Sequence, residues 1–143
     1  MEPGRLSRLS RLGGKVVEIR LNDNRRAIGF LVKADNDKIV LHPIDHTDQA
    51  TSTTYRTSRS RDFDCLGPGE AITFDPEMLP PRTRLLITLV NNFRVCGYRI
   101  PAAQKSILLA RELADNGEDR RAHRHLPEHI ARLQVLKPVA DEP

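Results

Sequence analysis

Residues 125–129 read His-Leu-Pro-Glu-His, the inverted zinc-peptidase pattern. That chemistry needs His125 and His129 on one helical face, Glu128 beside the metal-bound water, and a third ligand from well downstream. Pro127 lies between the two histidines, where proline starts a helix rather than continues one. Few residues follow His129, so a polar helix start is the plainer expectation. His46-Thr47-Asp48 spells half of a two-histidine, one-carboxylate iron site, with His42 and Asp45 in the same loop. The remaining ligand would have to be His123, His125 or His129. Such oxygenases use a large double-sheet barrel, and a solvated loop is the expectation here. Cys65 has Asp62 and Asp64 as near neighbours, which keep its thiol protonated and dull as a nucleophile. The chain has no G-x-S-x-G elbow, no Walker loop and no G-x-G-x-x-G. The sequence therefore predicts no catalytic residue, no bound metal and no cofactor.

The basic residues make a stronger pattern. Arg25 and Arg26 sit at a hairpin tip, Lys33 and Lys38 flank the next turn, and Arg56, Arg59 and Arg61 follow Tyr55. On a small barrel these loops share a rim, where arginine forks hold phosphates and one tyrosine stacks a base. The alternative is a charge-balanced solvated surface, because Asp23, Asp35, Asp37, Asp62 and Asp64 lie among them. The net charge of +4 is carried mostly by arginine, which matches phosphate bidentately in a way lysine does not. Aromatic residues make up only 4% and tryptophan is absent, so the core must be aliphatic and stacking platforms few.

The elements that would position these residues follow from periodicity. Residues 1–13 hold Arg-Leu-Ser triplets with Arg5, Arg8 and Arg11 beside Leu6, Leu9 and Leu12, a short basic helical arm closed by Gly13-Gly14. Lys15–Leu21 alternates, with Val17, Ile19 and Leu21 on one face and Val16, Glu18 and Arg20 on the other. Asn22-Asp23-Asn24 turns, Ala27–Ala34 and Lys38–His42 are further strands, and Thr51–Ser58 is a polar one. Arg59–Asp64 reads as exposed, Gly67-Pro68-Gly69 as a turn, and Ala71–Phe74 as a fifth strand. After residue 81 the period changes. Leu85, Leu86, Leu89, Phe93 and Cys96 fall at helical spacing, Pro101 opens a second helix that stops at Asn116-Gly117, and a third starts near Pro127. No internal repeat is evident beyond the triplets. Two cysteines without a C-x-x-C pair, no apolar leader and no long apolar run predict a cytoplasmic protein with no membrane partner.

Residues 14–41, with Val17, Ile19, Leu21, Gly29, Leu31, Asp35 and Ile39 to Leu41 at the matching positions, resemble the first half of an Sm-like RNA-binding domain. The resemblance implies an N-terminal helix, a bent five-stranded barrel of SH3-like size and an RNA surface. The family's second motif, a basic residue before glycine, has no counterpart in CLGPGEAI, so the resemblance implies the barrel rather than the base pocket. LARELADNG followed by EDRRAHRHL resembles a helix-turn-helix, with Arg120, Arg121 and Arg124 on its second segment. The fold expected is α+β: arm 1–13, a small five-stranded SH3-like or Sm-like barrel over 14–79, two or three α-helices over 80–138, and a tail 139–143. The function expected is a non-enzymatic nucleic-acid-binding or regulatory adaptor, RNA included, working through Arg25, Arg26, Lys33, Lys38, Tyr55, Arg56, Arg59 and Arg61. The alternative is an assembly subunit that docks a protein partner through its C-terminal helices. Either suits a homo-oligomer.

Overall fold

Val16–Leu21 (β1) and Arg26–Ala34 (β2) form a hairpin across the turn Asn22-Asp23-Asn24. Asn24 takes the left-handed conformation there (φ 69°), as asparagine tolerates. Lys38–His42 (β3) and Thr53–Arg56 (β4) extend the sheet. A 3-10 turn, Thr57–Arg59, then leads into Ser60–Ala71 (β5), which returns antiparallel to β1. The strand order of this first half is β5-β1-β2-β3-β4. The computed structural model describes residues 1–45, 52–72, 79–101, 106–114, 119–120 and 122–140.

The expected C-terminal helices are strands. Arg84–Leu89 (β6), Arg94–Ile100 (β7), Ile107–Ala110 (β8), Glu112–Leu113 (β9), Asp119–Arg120 (β10), His123–His125 (β11) and Ile130–Pro138 (β12) all join one twelve-stranded antiparallel sheet. Among the described residues the single α-helix is α1, Pro3–Leu9. The α+β expectation of a five-stranded barrel followed by two or three helices is thus overturned. So is the helix-turn-helix, whose turn at Asn116-Gly117 lies outside the described residues, and the C-terminal helices expected to dock a partner are strands among the described residues. Gly67-Pro68-Gly69 and the charged Arg59–Asp64 tract, expected as a turn and an exposed segment, lie largely within β5, where Phe63 is buried. Of the predicted strand Ala71–Phe74, Ala71 ends β5, and residues 73 and 74 lie outside the described residues.

The second half repeats the first. Its order is β12-β6-β7-β8-β11, and a 3-10 turn, Pro127–His129, again precedes the returning strand. Ile19, Leu21, Asn24, Arg26 and Gly29 recur at one fixed spacing as Ile87, Leu89, Asn92, Arg94 and Gly97. The backbone agrees bond for bond. Asn24 N–H donates to the Leu21 carbonyl as Asn92 does to that of Leu89, and Gly14 N–H donates to Leu31 as Arg82 does to Arg99. Gly14 (φ 83°) and Arg82 (φ 68°) share a left-handed conformation that only glycine adopts freely.

The halves face each other about a pseudo-two-fold axis. Ile28 N–H donates to the Arg111 carbonyl of the other half, and the equivalent Cys96 N–H donates to the Pro43 carbonyl. Strands β5 and β12 pair antiparallel, with Leu66 opposite Pro138 and Pro68 opposite Leu136. Burial follows this arrangement. Val17, Ile19, Leu21, Leu31, Leu41 and Phe63 fill the first half's own core, under Leu9 and Leu12 from α1 and the residues that follow it. Leu85, Ile87, Val95, Ile107, Leu109 and Leu133 fill the second. Between them lies a seam of Val16, Ile28, Phe30 and Leu66 against Leu86, Cys96, Tyr98 and Leu136. The second face of β1 therefore buries Val16 and Glu18 in this seam.

Candidate anion-binding cleft

The β1–β2 turn places two arginines on opposite sides of one ridge. Arg25 points back: its backbone N–H and Nε reach the Asp23 carboxylate (3.1 and 2.7 Å), and its Nη1 reaches Glu112 (3.1 Å). Desolvation opposes ionisation of Asp23, but the Arg25 N–H and guanidinium prevail and hold that carboxyl below its usual range. Arg26, at the start of β2, is exposed and faces a cleft of about 670 Å3 on the seam. Arg20, Arg61, Arg82 and Arg84 line the same cleft, with Glu18 and Tyr98 among the lining residues.

These five guanidinium groups are not equivalent. Arg20 is neutralised by Asp62 (3.0 Å) and Asp64. Arg84 donates to Glu18 (3.1 Å), whose other oxygen accepts the Tyr98 hydroxyl (2.7 Å). Arg26, Arg61 and Arg82 are exposed and carry no ion pair among the described residues; Arg61 makes only a long contact to the Asn24 side chain (3.5 Å). Three cationic forks thus converge on an open cavity whose one lining carboxylate is already occupied, and such a cavity attracts phosphate or carboxylate groups.

Across the pseudo-two-fold axis lies the same cleft with its chemistry removed. Gly14, Val16, Leu86 and Phe30 stand there in place of Arg82, Arg84, Glu18 and Tyr98. Arg94, the equivalent of Arg26, is tied to Asp45 (2.8 Å) and stacks on Phe30. Val139 docks over this side, its N–H donating to the Cys65 carbonyl (2.9 Å). The duplicated fold offers two clefts, of about 670 and 330 Å3, and gathers its unpaired arginines in the larger, while Lys15 and the ion-paired Arg94 line the smaller.

The predicted binding residues divide accordingly. Arg26 and Arg61 enter the cleft. Arg56 and Arg59 line a smaller pocket beyond the ridge, with Arg25 and Glu112. Lys38 lies opposite Arg56 in the β3–β4 ladder, and Lys33 is held by Asp35 (3.3 Å). Tyr55 is 7% exposed and its hydroxyl donates to Glu112 (2.7 Å), so it stacks on nothing from outside. Arg20, Arg82 and Arg84 were missed. Arg82 and Arg84 join the cleft only through the seam, a long-range contact for which the sequence carries no local signal.

Other chemistry is thin. His125 ends β11 and His129 ends a 3-10 turn, so the His-x-x-Glu-His residues do not share a helical face. Among the described residues no three His, Cys, Asp or Glu side chains cluster as metal ligands; His46 and Asp48 lie outside those residues. Burial pushes the Cys96 thiol far above its usual range, and Cys65 is also buried. Ellman's reagent should therefore find neither thiol in the folded protein and both in denaturant; a fast-reacting thiol in the native state would contradict this packing. No helix of the described residues is long and apolar enough to cross a membrane. No family model, curated protein or solved structure matches the chain.

Proposed function

We propose that this chain is a non-enzymatic nucleic-acid-binding protein whose phosphate-contacting surface is the cleft of Arg26, Arg61 and Arg82, continued over the ridge by Arg56 and Arg59. The observation that carries this reading is the asymmetry of the two clefts: the larger holds three arginines with no ion pair among the described residues, and the smaller, with Val139 against it, holds Lys15 and an Arg94 tied to Asp45. Tyr55, Tyr98, Phe30 and Phe63 are all buried. None of these four rings is open to a base, so the reading rests on arginine contacts to the phosphate backbone, which carry little base preference. Two free buried thiols suit a reducing compartment such as the cytoplasm.

Fluorescence polarisation with labelled single-stranded RNA, single-stranded DNA and duplex, at two salt concentrations, tests this. Binding should weaken steeply with salt, and Arg26→Ala, Arg61→Ala and Arg82→Gly should each lower the salt slope by about 0.7 to 0.9. Glycine is the replacement of choice at Arg82, because Gly14 holds the same left-handed position in the first half. Failure to bind any of the three at low salt would sink the proposal.

A further inference from the structure

The arginine cleft has a floor as well as walls. Side chains of seven strands, β1, β2, β5, β6, β7, β9 and β12, line it. Both halves supply the walls: β9 pairs with β2, where Leu113 lies opposite Arg26, and β12 pairs with β5. Glu18, Tyr98 and Leu136, all buried, close the bottom. The volume of about 670 Å3 falls among pockets that hold one small ligand, about 300–1,000 Å3.

The free charge in this space is concentrated. Arg20 is satisfied by Asp62 and Asp64, and Arg84 by Glu18, which leaves Arg26, Arg61 and Arg82. An internal phosphate of a strand is a diester with a single negative charge. A terminal phosphate monoester carries a charge of about −1.5 to −2 at pH 7 and three acceptor oxygens. With the diester next to it, it brings nearly three negative charges to three guanidinium groups. An internal stretch matches them only by placing three successive phosphates in the one mouth. Arg82 adds a second observation. It holds a left-handed backbone (φ 68°) where the first half has Gly14, and strain of this kind collects at functional sites. Leu113, Ala114 and Val135 line the rest of the wall, an apolar surface for the sugar and base of one terminal nucleotide.

We propose that the cleft recognises the phosphorylated end of a nucleic-acid strand. The terminal phosphate monoester sits among Arg26, Arg61 and Arg82, and the strand leaves over the ridge past Arg56 and Arg59. This rests on the nucleic-acid reading above and names the part of the strand that the cleft selects.

The test uses the full chain and one internally labelled single strand, as RNA and as DNA, in four forms: 5′-phosphate, 3′-phosphate, both ends hydroxyl, and covalently circular. A phosphorylated form should bind about tenfold more tightly than the hydroxyl form, the gain of one hydrogen bond to a charged group. Whether that form is the 5′ or the 3′ one identifies the end. The circle should bind no better than the hydroxyl form. Arg26→Ala, Arg61→Ala and Arg82→Gly should each remove most of this preference. All three side chains are exposed, so the variants should keep the wild-type melting temperature. Arg56→Ala and Arg59→Ala, beyond the ridge, should weaken all four forms alike and keep the preference. Equal binding of the four forms, or a preference that survives all three cleft variants, overturns this proposal and leaves nucleic-acid binding standing. No binding of any form defeats both. A nucleoside 5′-monophosphate that competes as strongly as the phosphorylated strand would assign the cleft to free nucleotides and overturn both as well.

Discussion

Glu18→Ala should destabilise the protein by about 3 kcal/mol, read as a lowered urea midpoint at unchanged slope. Glu18 is 2% exposed and lies on the seam. Its two oxygens accept from Arg84 and Tyr98, and Tyr98 is 1% exposed. Removing one partner of a buried ion pair usually costs about 3–5 kcal/mol, because the other charge stays behind. The Arg84 side chain is 26% exposed, so water recovers part of that loss and the low end applies. Glu18→Gln keeps the shape and one acceptor but turns an amide donor toward Arg84 or Tyr98, and should cost about 1–2 kcal/mol. The equivalent seam position supplies a sharper test. There Leu86, Val16 and Phe30 replace Glu18, Arg84 and Tyr98, and the seam stays packed. The triple variant Glu18→Leu, Arg84→Val, Tyr98→Phe should thus recover most of the stability lost by Glu18→Leu alone, since an apolar replacement of a whole buried pair is often neutral. A Glu18→Ala protein within about 0.5 kcal/mol of wild type would show that the seam polar group is not load-sharing between the halves.

The first hairpin was legible because its turn is short and its strands carry local signals. Asn22-Asp23-Asn24 marks the turn, and Gly29 marks a crowded point in β2. The same signals recur at Asn91-Asn92 and Gly97, yet the second half read as helix. The cause is burial on both faces. Leu85 and Ile87 serve their own core while Leu86 serves the seam, so alternation disappears into an apolar run. Such a run fits helix and strand alike. Pro101, read as a helix start, directly follows the end of β7. The repeat itself is thinly written: Phe30 became Tyr98, Leu31 became Arg99, and Arg25 became Phe93. Geometry kept the glycine and the turn asparagine, and chemistry diverged at positions facing the seam. Arg26 and Arg61 were visible as site residues because turns and charged tracts expose arginines. Arg82 and Arg84 were not, because their place in the cleft depends on how two halves dock.

Gly97→Ala and Gly29→Ala should each cost about 1–3 kcal/mol, and by similar amounts. At Gly97 an added methyl would stand 2.8 Å from the Leu109 Cβ and 2.9 Å from the Ala110 carbonyl oxygen. At Gly29 the same methyl would stand 2.8 Å from the Leu41 Cβ and 2.9 Å from the His42 carbonyl oxygen. Neither obstacle is the free end of a flexible side chain, so β8 or β3 would have to move away as a strand. Alanine also restricts the unfolded chain, which offsets about 0.4–1 kcal/mol of the strain. Gly13→Ala is the control: nothing lies within 4 Å of its would-be methyl, and its φ is not positive, so it should be neutral or slightly stabilising. The double variant Gly29→Ala, Gly97→Ala should depart from additivity. The residues that follow, Phe30 and Tyr98, belong to one seam cluster, and neighbours that share a packing cluster couple by about 0.5–3 kcal/mol. Urea melts of the four variants measure this directly. If Gly97→Ala unfolds at the same midpoint as Gly13→Ala, β7 and β8 do not approach as closely as described. If the double variant is strictly additive, the halves are independent folding units rather than one molecule joined at its seam.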